Sequence, residues 1–524
     1  MKRMLLSSAF VFALQAASAD TAVWSGAADA SWHTAENWDI GVPGAFTTAN
    51  VGTTSGDGIE ITSSAVCSNL WLTTTGGNGK TSTLHISADL AVDNEFIAAY
   101  GNSSECTVEQ TAGIVAIGKQ LYLGNSSGNE CSYELSGAGT VLTVPTVSMT
   151  RYKASGLNDL AIGRLTVRDG ATLNVTTKLN VAGQGYVSEK QPASEGTLEV
   201  LDGAVATVKD LYYSAGGVGT VVVSNATLTV TGTASSSPTR NENQPPTKIL
   251  VYDGGVLTVN SFVVGLYTSC NEFIEQHPGS RVECSSLKLA GAGQGGAGTD
   301  TNEVYRVLGG TLTVTGDTTI GNNGQARMEL EGGTVAMKNV YLDALNDVTK
   351  TVVSTNELDV VETNTVVTTV YEPSVLRFAG DSDTTVTGTL YLHGKYRGAR
   401  IALETEGGAF HANIQKIDTI TPNSAHVKTS LITKVAPDGL AALEVVGDVK
   451  LRYPLVVAPE ALEGARYGKY TILQWGGSLT LSGDTAGIVL SDEVDPLLWG
   501  LIVDAANKKV VLNYRQPATL IQVL

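Results

Sequence analysis

The sequence predicts an all-β fold, a parallel β-helix or β-solenoid of about eleven coils with a tryptophan-rich N-terminal cap and a C-terminal β segment. Three observations predict it. An alternating hexapeptide such as Gly309 to Val314 recurs along the chain. Its copies lie 22 to 33 residues apart, within the spacing typical of solenoids. Short runs of Val, Leu and Thr, separated by many of the 58 glycines, are typical of strands and turns.

The first element, residues 1–19, is predicted to be a secretory signal peptide. Lys2 and Arg3 precede an apolar run from Met4 to Ala17, and Ala17-Ser18-Ala19 forms a small-x-small cleavage site. The apolar run is too short to span about 30 Å of hydrocarbon. We therefore expect a secreted or cell-surface protein with no transmembrane segment after removal of the signal.

The charge balance argues against nucleic acid as a partner. The chain has 51 acidic and 33 basic residues, a net charge of −18 that becomes −20 when Lys2 and Arg3 leave with the signal. Phosphate binding requires a basic surface, which this composition does not provide. Solubility of an exported surface protein is sufficient to explain the acidity.

Residues 20–57 are predicted to form the N-terminal cap. Trp24, Trp32 and Trp38 are three of the six tryptophans in the chain. Indole rings can stack on sugars, or they can close the open end of a solenoid with apolar area. We favour the cap because terminal repeats must be sealed. Carbohydrate binding by these three residues is the alternative.

Residues 58–345 are predicted to form the stacked coils. A unit of about 25 residues cannot bury enough apolar surface to offset its conformational entropy, so neighbouring units share one column of Leu, Val and Ile. Each unit is predicted to hold three strands, as in Thr197 to Leu201, Val205 to Val208 and Leu211 to Tyr213. The polar, proline-rich segment Ser235 to Pro246 is predicted to be a protruding loop.

Residues 346–524 retain alternating runs but lose the Gly-Gly punctuation. Two interpretations stay open for them, a separate C-terminal β domain with a sandwich-like form or wider coils that close the stack.

The two ends of the chain carry a family resemblance. The opening "VWSGAADASWHTAENWDIGVPGAFTTANV" and the closing runs "GKYTILQW" and "WGLIVDAANKKVVLNY" resemble exported bacterial proteins with autotransporter-associated β-strand repeats. Such proteins pair a "W-x-G…W-x-x-x-x-N-W-x-x-G-x-P" opening with a long β-solenoid. The resemblance implies a surface-exposed solenoid. The ending "YRQPATLIQVL" departs from the membrane barrel or sorting signal with which family members usually continue.

The five cysteines are Cys67, Cys106, Cys131, Cys270 and Cys284. An odd number leaves at least one thiol without a disulfide partner. Cys106 and Cys131 follow matching Gly-Asn-Ser-Ser segments. We therefore expect them to stack at equivalent places in adjacent coils, with or without a bond.

Candidate metal ligands are sparse, and no cofactor is expected. Asp300 ends one copy of a Gly-Gly-x-Gly-x-Asp motif that winds calcium-binding β-rolls. Because no second copy follows, a corner loop is favoured over a calcium site. Asp381 and Asp383 form a weaker alternative for calcium.

No catalytic constellation is evident in the sequence. The acidic residues are scattered, and none of the six histidines lies in a nucleophile motif. The sequence therefore favours an exported structural or adhesive scaffold without catalysis, with extracellular glycans or cell-surface components as partners. The alternative is a carbohydrate-binding protein or a polysaccharide-active enzyme on a β-helix.

Overall fold

The structure is a computed structural model that describes residues 20–516 apart from short segments. Those segments are 53–57, 74–79, 102–103, 126–127, 151–160, 184–193, 215–216, 237–245, 266–271, 290–302, 322–325, 343–347, 353–365, 371–373, 394–398, 405–409, 421–428 and 483–486. The predicted signal peptide, most of the predicted loop at 235–246, Cys270 and Asp300 lie outside the described residues.

The described part of the chain is almost entirely β-structure in two large, mainly parallel sheets. Sheet A has 24 strands and sheet B has 16. The chain passes from one sheet to the other and back, so each strand lies beside its equivalent in the next coil. The buried apolar residues form one continuous cluster from Ala22 to Leu512. The predicted all-β parallel solenoid is therefore confirmed.

The N-terminal segment begins the stack. Strand β1 (Thr21–Val23) pairs in parallel with β2 (Thr48–Val51), and a 3-10 helix (Ala35–Asn37) lies between them in the sequence.

The coils that follow alternate strands of sheet B with strands of sheet A. They are β3 (Ile59–Ile61), β4 (Ala65–Cys67), β5 (Asn69–Leu72), β6 (Lys80–Ile86), β7 (Leu90–Val92), β8 (Glu95–Ala98), β9 (Ser104–Gln110), β10 (Ile114–Ile117), β11 (Gln120–Leu123), β12 (Glu130–Ser136), β13 (Val141–Met149), β14 (Ile162–Arg168), β15 (Thr172–Asn180), β16 (Glu195–Leu201), β17 (Val205–Ser214), β18 (Val218–Ser224), β19 (Thr227–Ser236), β20 (Thr247–Val251), β21 (Val256–Val264), β22 (Glu272–Gln276), β23 (Arg281–Leu289), β24 (Glu303–Val307), β25 (Thr311–Ile320), β26 (Ala326–Leu330) and β27 (Thr334–Leu342).

The recurring hexapeptide forms the turn and the first strand residues of sheet A strands such as β15, β25 and β27. In β25, Leu312 and Val314 are buried whereas Thr311 is exposed. Gly310 precedes the strand with a φ of +76°, a left-handed conformation that glycine adopts without steric cost. This alternation places apolar side chains in the shared column and Thr on the outer surface.

Two of the three strands predicted for each unit are continuous in most coils. Val205 to Val208 and Leu211 to Tyr213 are the two halves of β17, and the pairing register shifts between them. In the first coils the halves are separate strands, as in β10 and β11. The interruption between the halves therefore recurs at the same place in successive coils. It separates two strands in the first coils and lies within one strand in the later coils.

The stack continues beyond residue 345. Eleven strands of sheet B lie within residues 58–345, and five more follow them, which makes the stack longer than the eleven predicted coils. Strand β26 pairs in parallel with the first of the five. The C-terminal part thus begins as further coils of the same solenoid.

An antiparallel pair, β28 (Val348–Val352) and β29 (Val366–Val370), lies between β27 and the next sheet B strand in the sequence and forms a sheet separate from both large sheets. The remaining strands are β30 (Ser374–Phe378), β31 (Asp383–His393), β32 (Ala399–Glu404), β33 (His411–Ile420), β34 (Thr429–Val435), β35 (Leu443–Val445), β36 (Val449–Leu451), β37 (Leu455–Ala461), β38 (Gly468–Trp475), β39 (Leu479–Leu481), β40 (Ile488–Leu490), β41 (Trp499–Asp504) and β42 (Lys509–Tyr514). The last two strands are antiparallel, and β42 pairs with β38.

Candidate functional site

The three N-terminal tryptophans are brought together at one end of the stack. The ring centroids of Trp24 and Trp38 are 5.0 Å apart at 77°, and those of Trp32 and Trp38 are 4.9 Å apart at 70°. Their exposed fractions are 8%, 0% and 4% for Trp24, Trp32 and Trp38. Edge-to-face contacts of this kind stabilise a packed aromatic cluster. The burial favours the cap interpretation, and carbohydrate binding by these rings stays a prediction that requires their faces to be uncovered.

Asn37 organises the turn that holds this cluster. Its buried Oδ1 accepts hydrogen bonds from the backbone N–H of Ala28 (2.8 Å) and Asp29 (3.2 Å), and its Nδ2 donates to Ser31 O (3.0 Å). Nδ2 also donates to Asp29 Oδ1 (2.7 Å). In the sequence, Asn37 was recognised only as one residue of the opening motif. An asparagine in a loop is nevertheless a known signal for a turn held by side-chain to backbone hydrogen bonds.

The acidic residues proposed for calcium are not assembled into a binding site in the described structure. Asp381 and Asp383 are exposed on either side of the buried Ser382, where the chain enters β31. Among the residues that the structure describes, no three His, Cys, Asp or Glu side chains are grouped to hold a metal ion. A calcium site at Asp381 and Asp383 stays a prediction, and Asp300 cannot be placed beside them.

Opposite charges lie next to each other on neighbouring strands of sheet B. Arg306 Nε lies 2.9 Å from Glu329 Oε2, and Arg377 Nε lies 2.7 Å from Glu404 Oε2. Lys434 Nζ lies 3.0 Å from the other oxygen of Glu404. We call this series the ion ladder; its members are Glu275, Arg306, Glu329, Arg377, Glu404 and Lys434.

The ion ladder connects coils to one another. Four of its members, Glu275, Arg306, Glu329 and Arg377, are register partners on successive strands, so Arg306 lies between two glutamates and Glu329 lies between two arginines. Facing pairs of opposite charge stabilise a sheet. Sequence reasoning classed Glu329 as one of several scattered acids. Aligning the charged residues of successive repeat units would have revealed the alternation.

The half-buried centre of the ladder shifts two pKa values. Burial alone would raise the pKa of Glu404, but hydrogen bonds and charges from Arg377 and Lys434 outweigh it and hold that pKa below its ordinary value. Burial likewise would lower the pKa of Arg377, whereas Glu404 and Glu331 raise it above the ordinary value. Both shifts favour the charged forms, so these contacts act as ion pairs near neutral pH.

A pair of stacked tyrosines lies on the outer surface of sheet A. Tyr341 and Tyr391 are register partners in β27 and β31, with centroids 4.7 Å apart and an interplanar angle of 13°. Both side chains are partly exposed. Burial, Asp317 and Tyr391 raise the pKa of Tyr341, which keeps its hydroxyl protonated. Rings with hydroxyl groups at their edges can contact sugars, but their close stacking also stabilises the sheet.

The stacking predicted for two cysteines is confirmed. Cys106 and Cys131 are register partners in β9 and β12, both buried and both free thiols.

No protein-family model matches the chain, and a search of curated proteins finds no relative of it. In the part of the chain that the structure describes, helices long and apolar enough to cross a membrane do not occur.

Proposed function

We propose that the chain is an exported structural or adhesive scaffold at the cell surface or in the extracellular space. The observation that carries this proposal is the parallel ladder of sheet B, which runs from β3 to β40 over one continuous apolar column. A column shared by all coils gives a body in which each unit depends on its neighbours. Such a body is better suited to a spacer or a scaffold that presents loops than to an enzyme with a small active-site cleft.

The outward charges support the same function. Catalytic acids and bases act through hydrogen bonds to a substrate and therefore need positions facing an open site. In the ion ladder the carboxylates instead contact arginine and lysine side chains of neighbouring coils. These contacts stabilise the packing of neighbouring coils. The loops that connect the strands then provide the surfaces for binding.

Export and display can be tested together. The full chain would be produced in a Gram-negative host, and its mature N-terminus and accessibility to added protease on intact cells would be measured. We expect a mature chain that begins at Asp20, is accessible on the cell surface or in the medium, and increases attachment of cells to glycan-coated or cell-coated supports. A chain that retains residues 1–19 and stays in the cytoplasm would contradict the proposal.

A second function, carbohydrate binding, is favoured by one observation, the partly exposed Tyr341 and Tyr391 pair. A glycan panel would be probed with the mature protein and with the Tyr341→Ala/Tyr391→Ala variant. The matched control is Tyr252→Ala, another surface aromatic that stacks on His277 with centroids 4.4 Å apart. Binding lost only in the double variant supports this function, and release of reducing or unsaturated ends would indicate the polysaccharide-active alternative. Equal binding by all three proteins contradicts a role for the pair.

A further inference from the structure

Two of the described cysteines occupy one inward row of sheet B on adjacent strands. Cys106 in β9 faces Cys131 in β12, and their exposed fractions are 3% and 0%. The next strands place Gly163 and then Gly196 at the same position. The preceding strand places Ser82 there. The row therefore consists of small residues, and the two cysteines have the largest side chains in it.

The backbone geometry suits a covalent link. Register partners on neighbouring parallel strands have Cα atoms about 4.8 Å apart, and disulfides form at Cα separations of about 4.4–6.8 Å. Both side chains point to the same inner face of the sheet, and the Cys106 thiol is close enough to Cys131 to raise the pKa of its thiol. The register therefore places the two cysteines at a backbone separation that a disulfide can span.

The other described cysteines lack this arrangement. Cys67 faces Val92, and Cys284 lies between Val259 and Val314. All four described thiols are buried. Cys67 and Cys284 are therefore matched controls that share burial and differ in having valine, rather than cysteine, as register partners.

We propose that Cys106 and Cys131 are a cross-linking site that forms an inter-coil disulfide when the chain folds in the presence of a low-molecular-weight disulfide. One thiolate attacks the small disulfide, which gives a mixed disulfide and releases one small thiolate. The second protein thiolate then attacks the mixed disulfide at the protein sulfur and releases the other small thiolate. The two protein thiols are oxidised by two electrons, and the small disulfide takes up those electrons and the two protons as two thiols.

Burial determines when this exchange occurs. Burial and the neighbouring Cys106 raise the pKa of Cys131 well above its ordinary value, and only the thiolate is a competent nucleophile. The bond therefore forms while β9 and β12 are associating, before the column excludes solvent. Once formed, the buried disulfide should resist reduction in the native state and should be reduced only when reductant is combined with denaturant.

The test is to refold the purified mature chain in a mixture of oxidised and reduced glutathione. Free thiols are blocked with N-ethylmaleimide in denaturant, and the digested peptides are identified by mass spectrometry. We expect a linked peptide pair containing Cys106 and Cys131, with alkylation lost at both, while Cys67 and Cys284 are alkylated. Full alkylation of Cys106 and Cys131 overturns the proposal, as does a major disulfide that uses another cysteine.

Three variants sharpen the result. Cys106→Ser and Cys131→Ser should each abolish the linked pair and restore alkylation of the remaining thiol, whereas Cys67→Ser should leave the pair intact. Far-UV circular dichroism of each variant confirms that it retains β-structure. If a Ser variant fails to fold, the wild-type peptide map alone decides. Because the oxidant is supplied in the buffer, the outcome is independent of whether the chain is exported.

Discussion

The two ends of the solenoid are covered by different structural elements. At the N-terminal end, three indoles are buried against one another and Asn37 holds the turn that covers them. At the C-terminal end, the antiparallel pair β41 and β42 covers the edge of sheet A through β38. The last sheet B strand, β40, pairs only with β37 among the described strands, and its Val489 is 43% exposed.

This difference shows two ways to stop a parallel stack. An open edge strand is a template for pairing with another chain. The N-terminal end is sealed by irregular backbone and large apolar rings, so continuation of the ladder is blocked. The C-terminal end instead reverses the strand direction in sheet A. Exposed apolar side chains occur at both ends, Leu481 (48%) and Leu497 (78%) at the C-terminal end and Phe46 (83%) in the N-terminal segment. Stability at the first end therefore depends on buried packing more than at the second.

Trp32→Ala should have the largest effect, because this side chain is fully buried and loss of a buried Trp costs about 3–5 kcal/mol. The loss should be local, seen as faster hydrogen exchange in β1 to β5. The control is Phe46→Ala, which removes a ring that is 83% exposed and should change the free energy of unfolding by less than about 0.5 kcal/mol. Equal effects of the two variants would show that the indoles are not the seal.

Asn37→Ala should destabilise the same end by about 1–3 kcal/mol, because it removes the acceptor of two backbone N–H groups, those of Ala28 and Asp29. Asn507 provides the comparison at the other end, since its exposed Nδ2 donates to Asp504 Oδ2 at 2.8 Å. Asn507→Ala should cost less than about 0.5 kcal/mol. Chemical denaturation of both variants measures the difference, and a larger loss for Asn507→Ala would reverse our ranking of the two ends.

The ion ladder should make coils near the C-terminal end sensitive to acid. The pKa of Glu404 is lowered in the folded state, so its contribution is present above the unfolded pKa and is lost as pH falls through the folded pKa. Because Glu404 and its partner Arg377 are only partly buried, solvent screening limits this contribution to the free energy of unfolding to about 1 kcal/mol. Glu404→Gln should reduce the change in unfolding free energy between neutral and acidic pH.

The control for that pH dependence is Glu463→Gln, which changes an exposed carboxyl just after β37. It should leave the acid dependence of the wild type almost unchanged. If both glutamine variants behave alike, the ion ladder does not stabilise the coils.

Leu497→Gln should have the smallest effect on stability, within about 0.5 kcal/mol, because the side chain is exposed. It should lower binding of a hydrophobic dye to the folded protein, since it removes part of the exposed apolar surface at the C-terminal end. Phe46→Ala tests whether the N-terminal end contributes to the same signal. Dye binding that is unchanged in Leu497→Gln would indicate that this surface is covered in solution.

Local sequence patterns predict the coils because one hexapeptide contains both a turn and a half-buried strand. Leu312 and Val314 could therefore be assigned to the column before the structure was known. The bend within β17 and the continuation through β30 to β40 depend on pairing between units, which a single repeat does not encode. The ion ladder was missed for the same reason, since Arg377 and Glu329 are far apart in sequence and meet only through register.

Distances along one outer row of sheet B test most directly whether the chain is one continuous solenoid. Spin labels attached through p-acetylphenylalanine would be placed at Arg164 with Arg327, and at Arg164 with Val489. Six strand spacings separate the first pair and eleven separate the second. At about 4.8 Å per strand, the expected distances are about 29 Å and about 53 Å. Pulsed electron–electron double resonance should show these two distances in that proportion. A broad distribution, or a second distance no longer than the first, would show that the coils beyond residue 345 do not continue the stack.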